Sequence, residues 1–84
     1  MSLEKAREKF FQASDTDDVA EKRFLMFQAF EKVLSGLEME SVKDLDGFDG
    51  FLYKNSQDFL TSSSSYEKEK KLEKILDYVD RKYS

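Results

Sequence analysis

Apolar side chains return along this chain every three or four residues, the interval that places them on one side of an α-helix. Leu3, Ala6, Phe10 and Ala13 keep that interval and predict a first helix from about Leu3 to Ala13, with Phe11 broadening its face and Ser2 at the N-cap position. Ser14-Asp15-Thr16-Asp17-Asp18 then breaks the period with residues that bond free backbone N–H groups. Asp18, followed three residues later by Glu21, predicts the start of a second helix. It is expected to reach about Ser35, with Gly36 taking the left-handed C′ position and Leu37 folding back onto the last turn.

That second helix carries the most unusual pattern. At about 100° per residue, Ala20, Phe24, Phe27, Phe30, Val33, Leu34 and Leu37 cover a wide arc, and Met26 and Ala29 widen it further. Glu21, Gln28 and Lys32 define a narrow polar side with Leu25 among them, while Arg23 and Glu31 fall within the apolar arc and need polar partners or snorkelling. The helix is therefore expected to be central. Two readings of Phe24-Leu25-Met26-Phe27-Gln28-Ala29-Phe30 compete: enclosure by the rest of the chain, or contact of Leu25, Met26 and Phe30 with a partner chain.

Residues 38–50 are acidic and irregular, although Ser41 with Asp44 predicts a short capped helix carrying Val42 and Leu45 inward. Phe48, Phe51, Leu52, Asn55 and Phe59 fit the helical period and predict a helix to about Leu60, with a hairpin as the alternative. Ser64 and Glu67 form an S-x-x-E box before a last helix, whose stripe is Leu72, Ile75, Leu76, Val79 and Tyr83. Proline is absent and glycine occurs only at Gly36, Gly47 and Gly50, so little interrupts these helices. The predicted fold is all-α: one domain over residues 1–84, a small bundle of three main helices plus a short irregular or helical insert.

Composition narrows the chemistry. The 84 residues include no cysteine and no histidine, which excludes disulfide frameworks, Ser-His and Cys-His dyads, and imidazole or thiolate metal ligands. No cofactor is expected, and an enzyme would have only carboxylates, lysine, tyrosine and hydroxyls to work with, the enzyme alternative being one that uses carboxylates. Asp15, Asp17 and Asp18 are candidates, but capping and the helix dipole explain them. Asp44-Leu45-Asp46-Gly47-Phe48-Asp49-Gly50 matches a calcium loop only superficially, because its fifth, sixth and twelfth positions are Phe48, Asp49 and Asn55. No stretch approaches the roughly 20 apolar residues of a membrane span, so a cytoplasmic location is expected.

The last helix divides its charge by sign: Glu69, Glu73, Asp77 and Asp80 on one side, Lys70, Lys71, Lys74, Arg81 and Lys82 on the other, with Tyr78 among the bases. Its basic side, Lys70, Lys71, Lys74 and Arg81, is a candidate contact for nucleic acid or an acidic partner, against the alternative of a solvated face. The formal net charge of −4 supplies no general attraction to polyanions. Ala6, the Asp-rich turn and Ala20-Glu21-Lys22 resemble the helical hairpin of HEPN-type domains. The resemblance implies shape alone, since the Arg-x4-His signature of those ribonucleases needs the histidine missing here.

The expected function is a non-catalytic accessory subunit or adaptor that binds a larger protein through an aromatic helical face. The alternative is an accessory factor of a DNA- or RNA-processing complex that touches the backbone through the last helix. Self-association through the same aromatic surface competes with both.

Overall fold

Residues 2–83 are described by a computed structural model, except for the side chain of Ser2, so the expected Ser2 cap lies outside the described residues. The elements are α1 (Ser2–Asp15), α2 (Val19–Gly36), a 3-10 turn (Val42–Leu45), α3 (Gly50–Thr61) and α4 (Ser65–Tyr83), with no strand among them. The all-α expectation is met, but the count of three main helices is corrected to four. The short apolar repeat from Phe51 to Phe59 closes as a 12-residue helix in its own right, and the insert condenses to the 3-10 turn.

The caps follow local chemistry. Asp18 Oδ1 accepts from the N–H groups of Ala20 at 3.0 Å and Glu21 at 3.3 Å, starting α2. Asp44 Oδ2 accepts from the N–H groups of Glu40 at 2.9 Å and Ser41 at 3.2 Å, and Ser64 Oγ accepts from the Glu67 N–H at 3.3 Å.

The end of α2 departs from expectation. Gly36 is the last helical residue, and the left-handed residue is Glu38, with φ of 61°. Glu38 N–H reaches Ser35 O at 3.0 Å and Met39 N–H reaches Leu34 O at 2.8 Å, a Schellman closure with Glu38 at C′. Gly36 answers a different need: a Cβ there would stand 3.2 Å from the Leu3 side chain, where the start of α1 crosses the end of α2. That close approach makes α1 and α2 an antiparallel hairpin.

The hairpin alone cannot cover its apolar side. α4 packs on both α1 and α2, and α3 packs on α4 and the 3-10 turn. The core so enclosed takes Leu3, Phe10, Met26, Phe30, Val33, Leu45, Leu52, Phe59, Leu72, Ile75, Leu76 and Val79. Phe30 of α2 and Phe59 of α3 bring their ring centroids to 5.2 Å at its centre. Each such side chain contributes roughly 1.5–3 kcal/mol on burial.

The sign division of α4 fits it between its neighbours. On its acidic side Glu69 meets Lys22 of α2 at 2.8 Å, while Asp77, at 3.3 Å, and Asp80 meet Arg7 of α1. On its basic side Lys71 meets Asp58 of α3 at 3.3 Å, and Lys82 meets Asp49 at 3.0 Å. Each partly exposed pair is weak, at roughly 0–1 kcal/mol, but rotating α4 would set like charges against each other on both sides.

Candidate functional site

The buried stripe of α2 runs through Met26, Ala29, Phe30 and Val33, because α1 and α4 close on that side. Met26 and Phe30 are 0% and 2% exposed, and Leu25 is half-buried against the core. The expectation that Met26 and Phe30 meet a partner is therefore corrected, since both serve the protein's own interior, while half-buried Leu25 keeps part of its surface outward. Phe24 and Phe27, placed with the core residues from sequence, are 61% and 47% exposed. With Ala20 and Glu31, also exposed, they occupy one outward stripe, since residues three and four apart lie on the same helix side. Arg23 flanks this stripe and finds the partners its position demanded, donating to Ser63 O at 2.6 Å and Ser65 Oγ at 3.1 Å.

One turn beyond Phe27 the stripe leads into an open recess of about 330 Å³, lined by Glu31, Leu34, Ser35, Glu38, Met39 and Glu40. The Schellman closure builds it by folding Met39 back beside Leu34, which brings two apolar side chains and three glutamates to its lining. Among the described residues Glu31, Glu38 and Glu40 make no ion pair; the basic partners within reach of other acids are Arg7, Lys22, Lys71 and Lys82. The three carboxylates come from α2 and its closing turn, not from separate helices as acid–base chemistry across a cleft would need. A second groove, of about 420 Å³, follows the polar seam of α1 and α2 along Lys9, Gln28, Glu31, Lys32 and Ser35.

The basic candidates of α4 separate into two groups. Lys71 is turned to α3, bonding Asn55 Oδ1 at 3.4 Å as well as Asp58. Lys70, Lys74 and Arg81 stay on the exposed side. Lys70 sits 4.9 Å from the Tyr66 ring centre, Lys74 sits 5.6 Å from that of Phe51, and Arg81 Nε donates to Asp77 O at 3.4 Å.

The densest polar cluster joins the start of α3 to the end of α4. The Asp49 carboxylate, its side chain 3% exposed, caps α3 by accepting from Leu52 N–H at 3.1 Å. It also accepts from Tyr78 and Tyr83 hydroxyls, each at 2.6 Å, and from Lys82 Nζ at 3.0 Å. Burial alone would push this carboxyl up, but the hydroxyl donors, the Leu52 N–H and Lys82 outweigh it and hold the group well below the ordinary carboxylate range. Lys82 is pushed up by its bonds to Tyr78 and Asp49, and Tyr83 by burial and then by Asp49. Phe48 stacks on Tyr83 at 5.6 Å, and Phe51 lies 4.4 Å from Tyr78, closing an aromatic collar around the carboxylate.

The cluster spends donors of Tyr78, Tyr83 and Lys82 on joining two helices. It is a junction, and the sequence reading missed it by counting Asp49 as the sixth position of a calcium-like loop. The available signal was an Asp directly before a helical repeat, the N-cap pattern. Asp44 caps the 3-10 turn instead of facing Asp49, and no group of three or more His, Cys, Asp or Glu side chains among the described residues is placed to hold a metal ion. No described helix is long and apolar enough to cross a membrane. Comparison of the chain with protein-family models, with curated proteins and with solved structures finds no significant match.

Proposed function

We propose that the chain is a non-catalytic accessory subunit or adaptor that docks on a larger protein through the outer face of α2, with Phe24 and Phe27 as its anchors. The observation that carries this reading is the distribution of phenylalanine: of eight, five (Phe11, Phe24, Phe27, Phe48 and Phe51) are exposed although the core is closed without them. Phe48 and Phe51 are engaged at the Asp49 junction, and Phe11 lies beside Phe10 on α1. Phe24 and Phe27 make no ring–ring or cation–π contact among the described residues, and they share one stripe of the longest internal helix. A Phe side chain carries roughly 200 Å² of surface, so covering what these two expose is worth about 5 kcal/mol before the costs of association. That is the scale of a small binding hot spot.

The test is affinity purification from the native host with the wild-type chain and with F24S/F27S, whose core is untouched. A protein held stoichiometrically by the wild type and lost from the double variant is the expected result. Identical recoveries would overturn the reading.

A second reading places nucleic acid at the exposed side of α4. Lys70, Lys74 and Arg81 make no ion pair among the described residues, and Lys70 and Lys74 lie beside the exposed rings of Tyr66 and Phe51, a combination suited to phosphate and base. Steeply salt-dependent binding to a single-stranded oligonucleotide, lost in K70A/K74A/R81A, is its expected signature. Absence of binding at low salt removes it.

A further inference from the structure

We infer that the occupant of the α2 face is a basic amphipathic helix, its apolar side on Phe24 and Phe27 and a lysine or arginine in the recess rimmed by Glu31, Glu38 and Glu40. This rests on the docking reading above and adds the chemical class of the partner.

The dimensions select a helix. From Phe24 to the end of α2 the stripe measures about 18 Å at 1.5 Å per residue, the length of three to four turns. A partner helix laid along it meets the aromatic pair first and the recess one to two turns later, the i, i+3, i+7 spacing by which helices anchor in grooves. The chemistry of the recess selects a cation. Leu34 and Met39 in the lining suit the aliphatic stem of lysine or arginine, and the three glutamates suit its charged end. An apolar anchor would strip water from three carboxylates and return nothing, whereas a cation there is drawn in by all three.

Charge also argues against a second copy of this chain. The net charge is −4, so two copies repel one another at long range. The bases that α4 exposes share their side with Glu67, so that helix presents no uninterrupted cationic stripe to the recess.

The experiment titrates the full-length, ¹⁵N-labelled protein with three synthetic peptides of about 14 residues sharing one leucine stripe, with lysine, glutamine or glutamate as the polar residue. The expected result is saturable binding of the leucine-lysine peptide, with amide shifts confined to residues 20–40. Its affinity should fall at least about tenfold in F24S/F27S, and several-fold in E38G and in 0.5 M salt. E38G is the informative variant, because it removes a rim charge at a backbone position that glycine occupies more readily, so the fold is not at risk.

Tighter or equal binding of the leucine-glutamate peptide overturns the basic class, as does an affinity that E38G and salt leave unchanged. If the leucine-glutamine peptide then still shifts Phe24 and Phe27, the α2 face stands as a docking surface for a partner of other chemistry. If no peptide moves residues 20–40, both this inference and the docking reading fall. Concentration-dependent sedimentation abolished by F24S/F27S would assign the face to a second copy and overturn the proposed partner.

Discussion

Replacing Asp49 with alanine tests whether the α3–α4 junction carries a major share of the fold's stability. The carboxylate is buried and accepts four hydrogen bonds, from Leu52 N–H, Tyr78, Tyr83 and Lys82. Losing an N-cap costs about 1 kcal/mol. Each charge-assisted hydroxyl bond is worth roughly 1.5–3 kcal/mol, but both tyrosines are only half-buried and their hydroxyls can turn to water, which recovers much of that. The sum is a loss of about 3 kcal/mol for D49A, or roughly 12–24 °C in Tm for a chain of this size. D49N keeps the cap and an acceptor for the tyrosines, and should lose about half as much.

The charge has its own signature in pH. The folded carboxyl titrates below the ordinary value of 3.8, so its contribution is complete above that value and fades as pH falls toward the lower folded one. In denaturant unfolding followed by far-UV circular dichroism, the gap between wild type and D49N should be widest above pH 5 and should narrow on acidification below pH 4. A D49A variant within 0.5 kcal/mol of wild type, or a gap that grows in acid, would refute the reasoning.

Phe30 and Phe24 make a matched pair: F30A should cost about 3–5 kcal/mol, whereas F24S should stay within about 0.5 kcal/mol of wild type. Equal losses from the two in denaturant titrations would mean that the outer stripe is part of the core. Ser56 Oγ is buried on α3 without a hydrogen-bond partner among the described residues, so S56A should raise stability by about 1 kcal/mol, read as a higher midpoint at unchanged slope. Glu38 sits in the left-handed region at a cost of roughly 1–2 kcal/mol, against the roughly 0.5–1 kcal/mol of entropy that glycine adds to the unfolded chain. E38G should therefore raise Tm by a few degrees, and a lower Tm would show that the Glu38 side chain supports the fold.

The helices were legible because their signals are local. Asp18 with Glu21, Ser41 with Asp44, and Ser64 with Glu67 each set an N-terminus within a residue or two of where it lies. What was illegible is the rotation of α2 about its axis. A wheel that sums apolar residues weights Phe24 and Phe27 as heavily as Met26 and Ala29, so the predicted arc was centred toward the aromatic side. The covering elements decide otherwise, and α4 belongs to a distant part of the chain that no window of α2 contains. Gly36 misled for a related reason. A glycine near a helix end reads as a left-handed cap, yet here it admits Leu3 from another helix, and the cap conformation falls on Glu38 two residues later. Asp49 was hidden because three of its four donors are separated from it by nearly thirty residues or more.

The charges of α4 bear on which surface is left for a partner. A helix with acids along one side and bases along the other invites a functional reading, and the basic side invites nucleic acid. In the fold, Glu69, Asp77 and Asp80 are taken by Lys22 and Arg7, while Lys71 and Lys82 are taken by Asp58 and Asp49. Most of the pattern is thus consumed in fixing α4 between the α1–α2 hairpin and α3, and the bases that remain share their side with Glu67. The outer face of α2 stands in the opposite condition: its aromatic pair is 61% and 47% exposed, and Glu31, Glu38 and Glu40 at its end make no ion pair among the described residues. If contact is what this chain contributes, α2 retains the greater capacity for it. Charge-reversing Lys70 and Lys74 should then leave partner capture largely intact, while F24S/F27S abolishes it, and the reverse ranking would move the functional surface to α4.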